Sequence, residues 1–114
     1  MTRGVDLQSL VLLDVQRLVA HDEVVISSHG YEELAADDIS VQDILHSISE
    51  AIVVEDYPIF GKGACVLVLQ EDKNRQPVHV VWGIARGKVS PAVIITAYCP
   101  DPEKWADNFT RRKK

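Results

Sequence analysis

The sequence is poor in cysteine and in positive charge, and it has no long run of apolar residues. Its 114 residues include two cysteines, and 12 Lys and Arg against 17 Asp and Glu leave a net charge of −5. The first apolar stretch, Leu10–Leu13, is followed by Asp14 and Arg17, which predicts neither a secretion signal nor a membrane-spanning helix. Two cysteines without such a signal are typical of a cytoplasmic protein with reduced thiols.

Motifs that bind metals or nucleotide phosphates are also missing. No CxxC pair is present, and the glycines around Lys62 do not have the spacing of a phosphate-binding loop. None of the close spacings of zinc ligands occurs among the four histidines, which are His21, His29, His46 and His79. We therefore expect no metal site and no cofactor.

The excess of acidic residues argues against nucleic-acid binding by the whole surface. Affinity for a polyanion comes mainly from clustered Lys and Arg. Local clusters occur at Lys73 and Arg75, at Arg86 and Lys88, and at residues 111–114. We interpret the last cluster as a solvated chain end rather than a binding arm.

Helical periodicity is confined to the first half of the chain. Apolar residues recur at helical spacing up to about Ala20, and Asp6 can cap that helix. Ser28 can cap a second, short helix, and Ser40 precedes the clearest amphipathic pattern of the chain. Between the first two helices, Glu23–Ile26 is β-branched and predicts either an edge strand or an extended lead-in.

From about residue 51 the pattern becomes that of strands, at 52–54, 64–70, 77–84 and 92–98. The last two form an apolar hairpin that we place at the centre of the sheet. Asp101 can then cap a final short helix. We predict a single α+β domain over residues 1–114, with N-terminal helices packed on a four-stranded antiparallel meander and a short C-terminal helix.

His29 and Glu33 lie four residues apart in the second predicted helix and project from the same face. A carboxylate in that place can orient the imidazole as a general base. The alternative, which we favour from sequence alone, is that His29 hydrogen-bonds a backbone carbonyl and ties the helix to the sheet.

His79 lies inside an apolar strand, where an unpaired imidazole is costly. Thr96 and Tyr98 on the neighbouring strand are its candidate partners, and a structural hydrogen bond is favoured over an acid–base role shared with His29. Tyr98 can stack on a base or donate a proton, or it can simply fill the core. Arg86 can hold a phosphate or be a solvated turn residue.

Three stretches, taken together, resemble a known family. They are Ile26–His29 with the following Ile39–Ile44, then Pro77–Val81, then Ile95–Asp101 with the downstream Trp105. Their order and spacing are similar to those of the domain-of-unknown-function family 4258, over about residues 20–108. The predicted helix over about residues 6–20 lies outside this resemblance.

The resemblance implies a fold related to the small bacterial ribonuclease toxins of the RelE-like and BrnT-like kind. Its implied activity is cofactor-free cleavage of RNA, free or on the ribosome, and its implied partner is an antitoxin-like protein. The acid–base candidates are then His29, His79 and Tyr98, and the substrate-binding candidates are Arg86 and Glu33. Toxins of that kind are usually basic, whereas this chain is acidic.

A second hypothesis comes from a different class of protein. In it the chain is a non-catalytic protein-interaction domain, and the same polar residues serve the structure. The acidic surface favours this hypothesis, and the apolar N-terminal helix can then complete a homodimer. No membrane partner is expected under either hypothesis.

Overall fold

Helices alternate with strands in the first part of the computed structural model, and strands dominate the second; the structure describes residues 9–59 and 61–113. The helices are α1 (Leu10–Ala20), α2 (Ser28–Ala36) and α3 (Val41–Ser47), and a 3-10 turn follows at Ile48–Glu50. The strands are β1 (Val24–Ile26), β2 (Ile52–Tyr57), β3 (Cys65–Glu71), β4 (Pro77–Gly83), β5 (Ala92–Tyr98), β6 (Trp105–Ala106) and β7 (Arg111–Arg112).

The main sheet has five strands in the order β1-β5-β4-β3-β2. The successive pairs β2–β3, β3–β4 and β4–β5 are antiparallel, whereas β1 pairs in parallel with β5. The predicted four-stranded antiparallel meander is therefore wrong, although its four strands exist and the hairpin of β4 and β5 lies inside the sheet. With only three residues, β1 is too short to show a strand period in the sequence.

The described caps of α1 and α2 are Ser9 and Ser27, whereas α3 begins after Ser40 as predicted. Ser9 caps α1, since its hydroxyl accepts a hydrogen bond from the Leu12 N–H at 3.1 Å. The predicted cap, Asp6, lies outside the described residues. Ser27 rather than Ser28 caps α2, and its Oγ also donates to the Ile95 carbonyl at 2.9 Å. The start of α2 is thereby fixed to β5.

Gly30 allows α2 to lie against the backbone of β5. A Cβ atom at this position would be 2.7 Å from the Ile94 carbonyl oxygen, which is closer than real Cβ contacts. A larger residue would therefore push the helix away from the strand.

All three helices pack on one face of the sheet, which we call the helix face. The apolar stripe of α1 that is buried there consists of Val11, Leu12, Val15 and Leu18, whereas Leu10 and Leu13 of the same helix are exposed. Trp82 is fully buried in the same core, and its indole N–H donates to Gln70 at 2.8 Å. Gln70 in turn donates to the Ile44 carbonyl, so the core carries a satisfied polar pair.

The chain ends in a hairpin and not in the predicted helix. Trp105–Ala106 pairs with Arg111–Arg112, and we call residues 105–112 the C-terminal hairpin. Its connecting turn has positive φ at Asp107, Asn108 and Phe109, a conformation that no α-helix contains. Trp105 nevertheless docks on the sheet, with its ring against His79. Among the described residues, no helix is long and apolar enough to cross a membrane.

The opposite face of the sheet, the back face, shows two different cross-strand rows. The covered row consists of Ile52, Leu69, His79 and Tyr98, and the C-terminal hairpin lies over its His79. The open row lies at the other end of the strands and crosses all five of them through Tyr57, Cys65, Gly83, Val93 and Val25. The covered row contains the predicted site residues His79 and Tyr98, and the loop of Arg86 follows β4 at the end that carries the open row.

Candidate functional site

His79 is the centre of the covered row and is fully buried. Its Nε2 lies 2.8 Å from the Phe109 carbonyl oxygen, and its Nδ1 lies 3.1 Å from the Tyr98 hydroxyl. A carbonyl can only accept, so Nε2 carries the ring proton and Nδ1 accepts from Tyr98. Both ring nitrogens are thus satisfied by a neutral imidazole.

The predicted pairing of His79 with Tyr98 is confirmed, and the register explains it. The two residues are opposite each other on β4 and β5, so their side chains leave the same face of the sheet. Their rings meet edge to face with centroids 5.3 Å apart. Thr96, the other candidate partner, lies opposite Val81.

Trp105 closes the site from above. Its ring stands perpendicular to that of His79, with centroids 4.4 Å apart. The Arg112 guanidinium lies over the Trp105 ring, 4.9 Å from its centroid. The imidazole is therefore shut off from solvent by residues of the C-terminal hairpin.

Glu55 ties this lid to the sheet. Its carboxylate accepts two hydrogen bonds from Arg112, at 2.6 Å and 3.1 Å, and one from the Tyr57 hydroxyl at 2.8 Å. The bonds from Arg112 are the main reason that the pKa of Glu55 lies below its ordinary value. Glu55 and Arg112 are far apart in the sequence, and neither was among the predicted site residues.

The protonation states of the site follow from its burial. Desolvation is the main cause that lowers the pKa of His79 and raises the pKa of Tyr98. Both groups are therefore neutral near pH 7, and transfer of the Tyr98 proton to His79 is disfavoured. The pair is suited to holding the hairpin in place, and Tyr98 is its only member that solvent can reach.

An open cleft of about 610 Å³ adjoins Tyr98 at the rim of the sheet. Trp105 and Arg112 form part of its wall, and its other charged lining residues are Lys104, Lys113, Asp101 and Glu103. Residues 111–112 thus form an ordered strand, although their side chains are exposed to solvent as predicted. The cleft combines aromatic rings with cations, but two carboxylates partly offset its charge.

His29 and Glu33 do not join this site. They belong to α2, which packs on β5 and sends Leu34 into the core of the helix face. His79 points to the back face, so the sheet separates the two histidines. The interpretation of His29 as a buried tie to the sheet is also wrong, because its side chain is exposed.

Arg86 lies at the far end of the molecule from Tyr98. It belongs to the loop that follows β4. The last residue of β4, Gly83, is four residues beyond His79, which corresponds to roughly 13 Å at the rise of a strand. Its guanidinium is exposed and makes a long contact of 3.4 Å with the Gly61 carbonyl. The five candidate residues are thus spread over three places.

Three residues of the open row, Cys65, Gly83 and Val93, line an apolar groove of about 410 Å³. Val81 and Ile95 flank the row within this groove, and the loops at residues 62–64 and 84–85 form its end. Burial, with a smaller contribution from Asp56, raises the pKa of Cys65, so this thiol is not a reactive thiolate. Cys99 is exposed, and neither cysteine forms a disulfide.

The sequence carried only weak signals for the residues that were missed. Glu55 directly follows the apolar run 52–54 within a strand, so it needs a partner if it is covered. Nothing local to Phe109 announces that its backbone carbonyl accepts from His79, since that contact depends on the turn. Within residues 9–59 and 61–113, no three His, Cys, Asp or Glu side chains are grouped so that they could hold a metal ion.

One comparison with known proteins finds a match. The family model described as "Domain of unknown function (DUF4258)" matches residues 26–99. The match includes His79 and Tyr98, whereas α1 and the C-terminal hairpin lie outside it. No curated protein and no solved structure matches the chain.

Proposed function

The chain belongs to the DUF4258 family, whose description names no activity, and we propose that it is a protein-interaction domain that binds its partner through the open row. The observation that carries this proposal is the apolar groove beside the open row, which no described segment of the chain fills. Val25 on the edge strand is 48% exposed, and the groove beside it is lined almost entirely by apolar side chains. Contiguous exposed apolar surface of this kind is typical of interaction sites.

The covered row supports the same proposal, because its histidine is not available for catalysis. Its histidine has both ring nitrogens engaged and no exposed surface. A general base must reach the proton that it removes, either directly or through one water. His79 is placed to stabilise the C-terminal hairpin rather than to act on a substrate. This favours a binding function over a catalytic one.

A selection from a peptide library tests the proposed function. The library consists of displayed peptides with apolar residues at every third or fourth position and an equal mixture of Glu, Lys and Ser elsewhere. We expect the immobilised full chain to enrich peptides that no longer bind after Val25→Asp. The matched control is Tyr31→Asp, since Tyr31 is exposed on α2 above the helix face.

Two results decide the outcome. Enrichment that is lost with Val25→Asp and kept with Tyr31→Asp supports the interaction function. No enrichment, or equal binding by both variants, contradicts it. Melting curves of the two variants establish that each is folded.

A second candidate function is RNA cleavage of the kind that the RelE-like and BrnT-like resemblance implies. The cleft beside Tyr98 favours it, because an aromatic hydroxyl, an indole and three cations meet there. In that mechanism Tyr98 is the acid–base group that touches RNA, and His79 orients its hydroxyl. His29, Glu33 and Arg86 lie elsewhere and would act only on distant parts of the substrate.

Incubation with RNA, free and on ribosomes, tests this second function. Cleavage that Tyr98→Phe abolishes and His29→Ala preserves would establish Tyr98 as the reacting group. Equal, background-level cleavage by the wild type and by Tyr98→Phe would exclude it.

A further inference from the structure

The C-terminal hairpin is joined to the back face by side chains and not by a shared ladder. In the described chain β6 and β7 pair with each other, and the five strands of the main sheet pair without them. The apolar core lies on the helix face, where Trp82 is fully buried. The hairpin can therefore leave the sheet while this core stays closed.

Polar contacts from β4 and β2 hold the hairpin in place. His79 Nε2 donates to the Phe109 carbonyl at 2.8 Å, and the Glu55 carboxylate accepts from Arg112 at 2.6 Å and 3.1 Å. The buried ring of Trp105 adds a contact against the imidazole. Closure keeps the His79 ring away from water, which costs little only while the ring is neutral.

The bond between His79 and Tyr98 also requires a neutral ring. The ring proton is on Nε2, so Nδ1 accepts from the Tyr98 hydroxyl at 3.1 Å. A second proton must go to Nδ1, where it would face the hydrogen of that hydroxyl. The closed site is therefore built for the neutral imidazole.

The turn of the hairpin is strained in the closed form. Asp107, Asn108 and Phe109 have φ of +53°, +56° and +66°, and the Thr110 N–H donates to the Ala106 carbonyl at 3.1 Å. Successive L-residues in the left-handed region are costly, most of all for a bulky residue such as Phe. The bond from His79 ends on the carbonyl of this Phe109, so release of that bond allows the turn to relax.

Groups from five strands surround His79 and determine the cost of a proton on it. They are Tyr98 of β5, Glu55 and its partner Tyr57 of β2, Arg112 of β7, and the uncharged Leu69 of β3 and Trp105 of β6. Burial has the largest effect on the pKa of His79 and lowers it, and Arg112 acts in the same direction. The Phe109 carbonyl and Glu55 act in the opposite direction without reversing the shift.

We propose that the C-terminal hairpin is a lid that opens as a unit when His79 takes up a proton, while the main sheet stays folded. Opening hydrates the imidazolium and lets the turn relax. It uncovers Leu69, His79 and Tyr98, next to the open cleft that Tyr98 lines. The lid concerns the covered row, so it does not depend on binding at the open row.

The direction of the pH dependence follows from the protons bound in each form. When the lid is open, the pKa of His79 returns towards its ordinary value of 6.5. The open form then binds more protons, so opening is suppressed above about pH 6.5 and favoured as the pH falls below it. Glu55 stays ionised at pH 5.5, because its pKa lies below 4.5, so its bonds to Arg112 do not cause the change.

Proteolysis of the full chain tests the lid. Cleavage within residues 104–112 is measured at pH 7.5 and pH 5.5 with a protease that acts over this range, and mass spectrometry locates the cuts. Each rate is divided by that of an isolated peptide of the same sequence at the same pH, so the ratio reports the opening equilibrium. We expect the ratio to rise several-fold on acidification, up to about tenfold for one proton.

His79→Gln should remove this rise, because glutamine does not titrate. The matched control is the triple variant His21→Gln, His29→Gln and His46→Gln, which replaces the three exposed histidines and leaves His79 as the only one. The triple variant should keep the full rise. It also decides the assignment if His79→Gln does not fold.

Two carboxylate-to-amide variants separate release of the hairpin from changes within its turn. Glu55→Gln weakens the contact with Arg112 and should raise the ratio at both pH values, by up to about fivefold as for an exposed ion pair. Asp107→Asn makes the same change inside the hairpin, where its partner is Arg111, and should leave the ratio unchanged.

Several results would overturn the lid. One is a ratio that changes by less than about twofold between the two pH values, and another is a rise that His79→Gln keeps or the triple variant loses. Cuts in β3, β4 and β5 that increase in parallel with those in the hairpin would mean that the whole domain unfolds. Equal effects of Glu55→Gln and Asp107→Asn would mean that cleavage follows the turn and not release of the hairpin from the sheet.

Discussion

The covered row and the open row lie on the same face of one sheet, but the C-terminal hairpin packs only on the covered row. The covered row contains a buried imidazole, and the C-terminal hairpin supplies a carbonyl acceptor and an aromatic lid for it. The open row contains apolar side chains and glycine, and no segment of the described chain lies over it as the hairpin lies over His79. A polar group that is buried needs partners from the same chain, whereas an apolar surface can be left for a partner molecule.

His79→Ala should break the covered row and have the largest effect on stability. The substitution leaves a cavity under Trp105 and removes the partners of the Tyr98 hydroxyl and the Phe109 carbonyl. We expect a loss of about 2–5 kcal/mol, since a large-to-small change in a core is combined with unpaired polar groups. The melting temperature should fall by roughly ten degrees or more.

His29→Ala is the matched control for this loss. The same change of side chain at the exposed His29 of α2 leaves no buried cavity. Its melting temperature should stay within about one degree of the wild type, as is usual for surface substitutions. A drop like that of His79→Ala would mean that the tie between α2 and the sheet exists after all.

Tyr98→Phe should have the next largest effect. It keeps the ring against His79 but removes the hydroxyl that donates to Nδ1 at 3.1 Å. The buried nitrogen is then left without a donor, which costs about 1–3 kcal/mol. Denaturant unfolding of Tyr98→Phe, His79→Ala and the double variant measures this, and strictly additive losses would show that the two side chains are not coupled.

The pH dependence of stability provides a third test of the covered row. Burial lowers the pKa of His79 below its ordinary value of 6.5. The unfolded chain then takes up a proton at a pH where the folded protein does not. Stability from this group is therefore complete above about pH 6.5 and falls as the pH drops towards the lowered pKa of the folded state.

Melting curves between about pH 7.5 and pH 5 check this expectation, because the Glu55 contribution is lost only below its ordinary pKa of 4.5. The wild type should lose more of its melting temperature over this interval than His79→Gln does. Parallel curves for the two proteins would contradict the assignment of a neutral, buried imidazole.

The sequence predicted the strands and the helix stripes well, because these depend on local periodicity. The pairing of His79 with Tyr98 also followed, since a polar residue in an apolar strand needs a partner nearby. The parallel position of β1 and the turn at residues 107–109 did not follow. β1 could have paired at either edge of the sheet, and local sequence does not distinguish the two edges. The turn depends on positive φ at Asp107, Asn108 and Phe109, which these residue types do not predict.

The candidate site could be predicted only in part for a similar reason. Glu55 and Arg112 meet because β2 and the C-terminal hairpin come together, and 57 positions separate them in the chain. Arg86 was correctly placed on the loop after β4, but that loop is at the end of the sheet that carries the open row. A residue type can indicate the chemistry of a site, but the topology determines which residues lie close together in it.

Arg112→Gln should have a smaller effect than either change at His79 or Tyr98. Its side chain is 64% exposed, so solvent screens its pair with Glu55 even though the contact has two hydrogen bonds. We expect a loss below about 1 kcal/mol, as for other surface ion pairs. A salt titration checks the cause, because the difference between wild type and variant should shrink at high salt.

Val25→Thr should change stability least, and it sharpens the contrast between the two rows. Threonine has nearly the shape of valine and is equally suited to a strand, and the Val25 side chain is already half in solvent. The free energy of unfolding should therefore stay within about 0.5 kcal/mol of the wild type. Peptide binding should nevertheless weaken, because a hydroxyl replaces a methyl group in the apolar contact. A variant that loses stability but not binding would mean that the open row serves the fold of this chain rather than a partner.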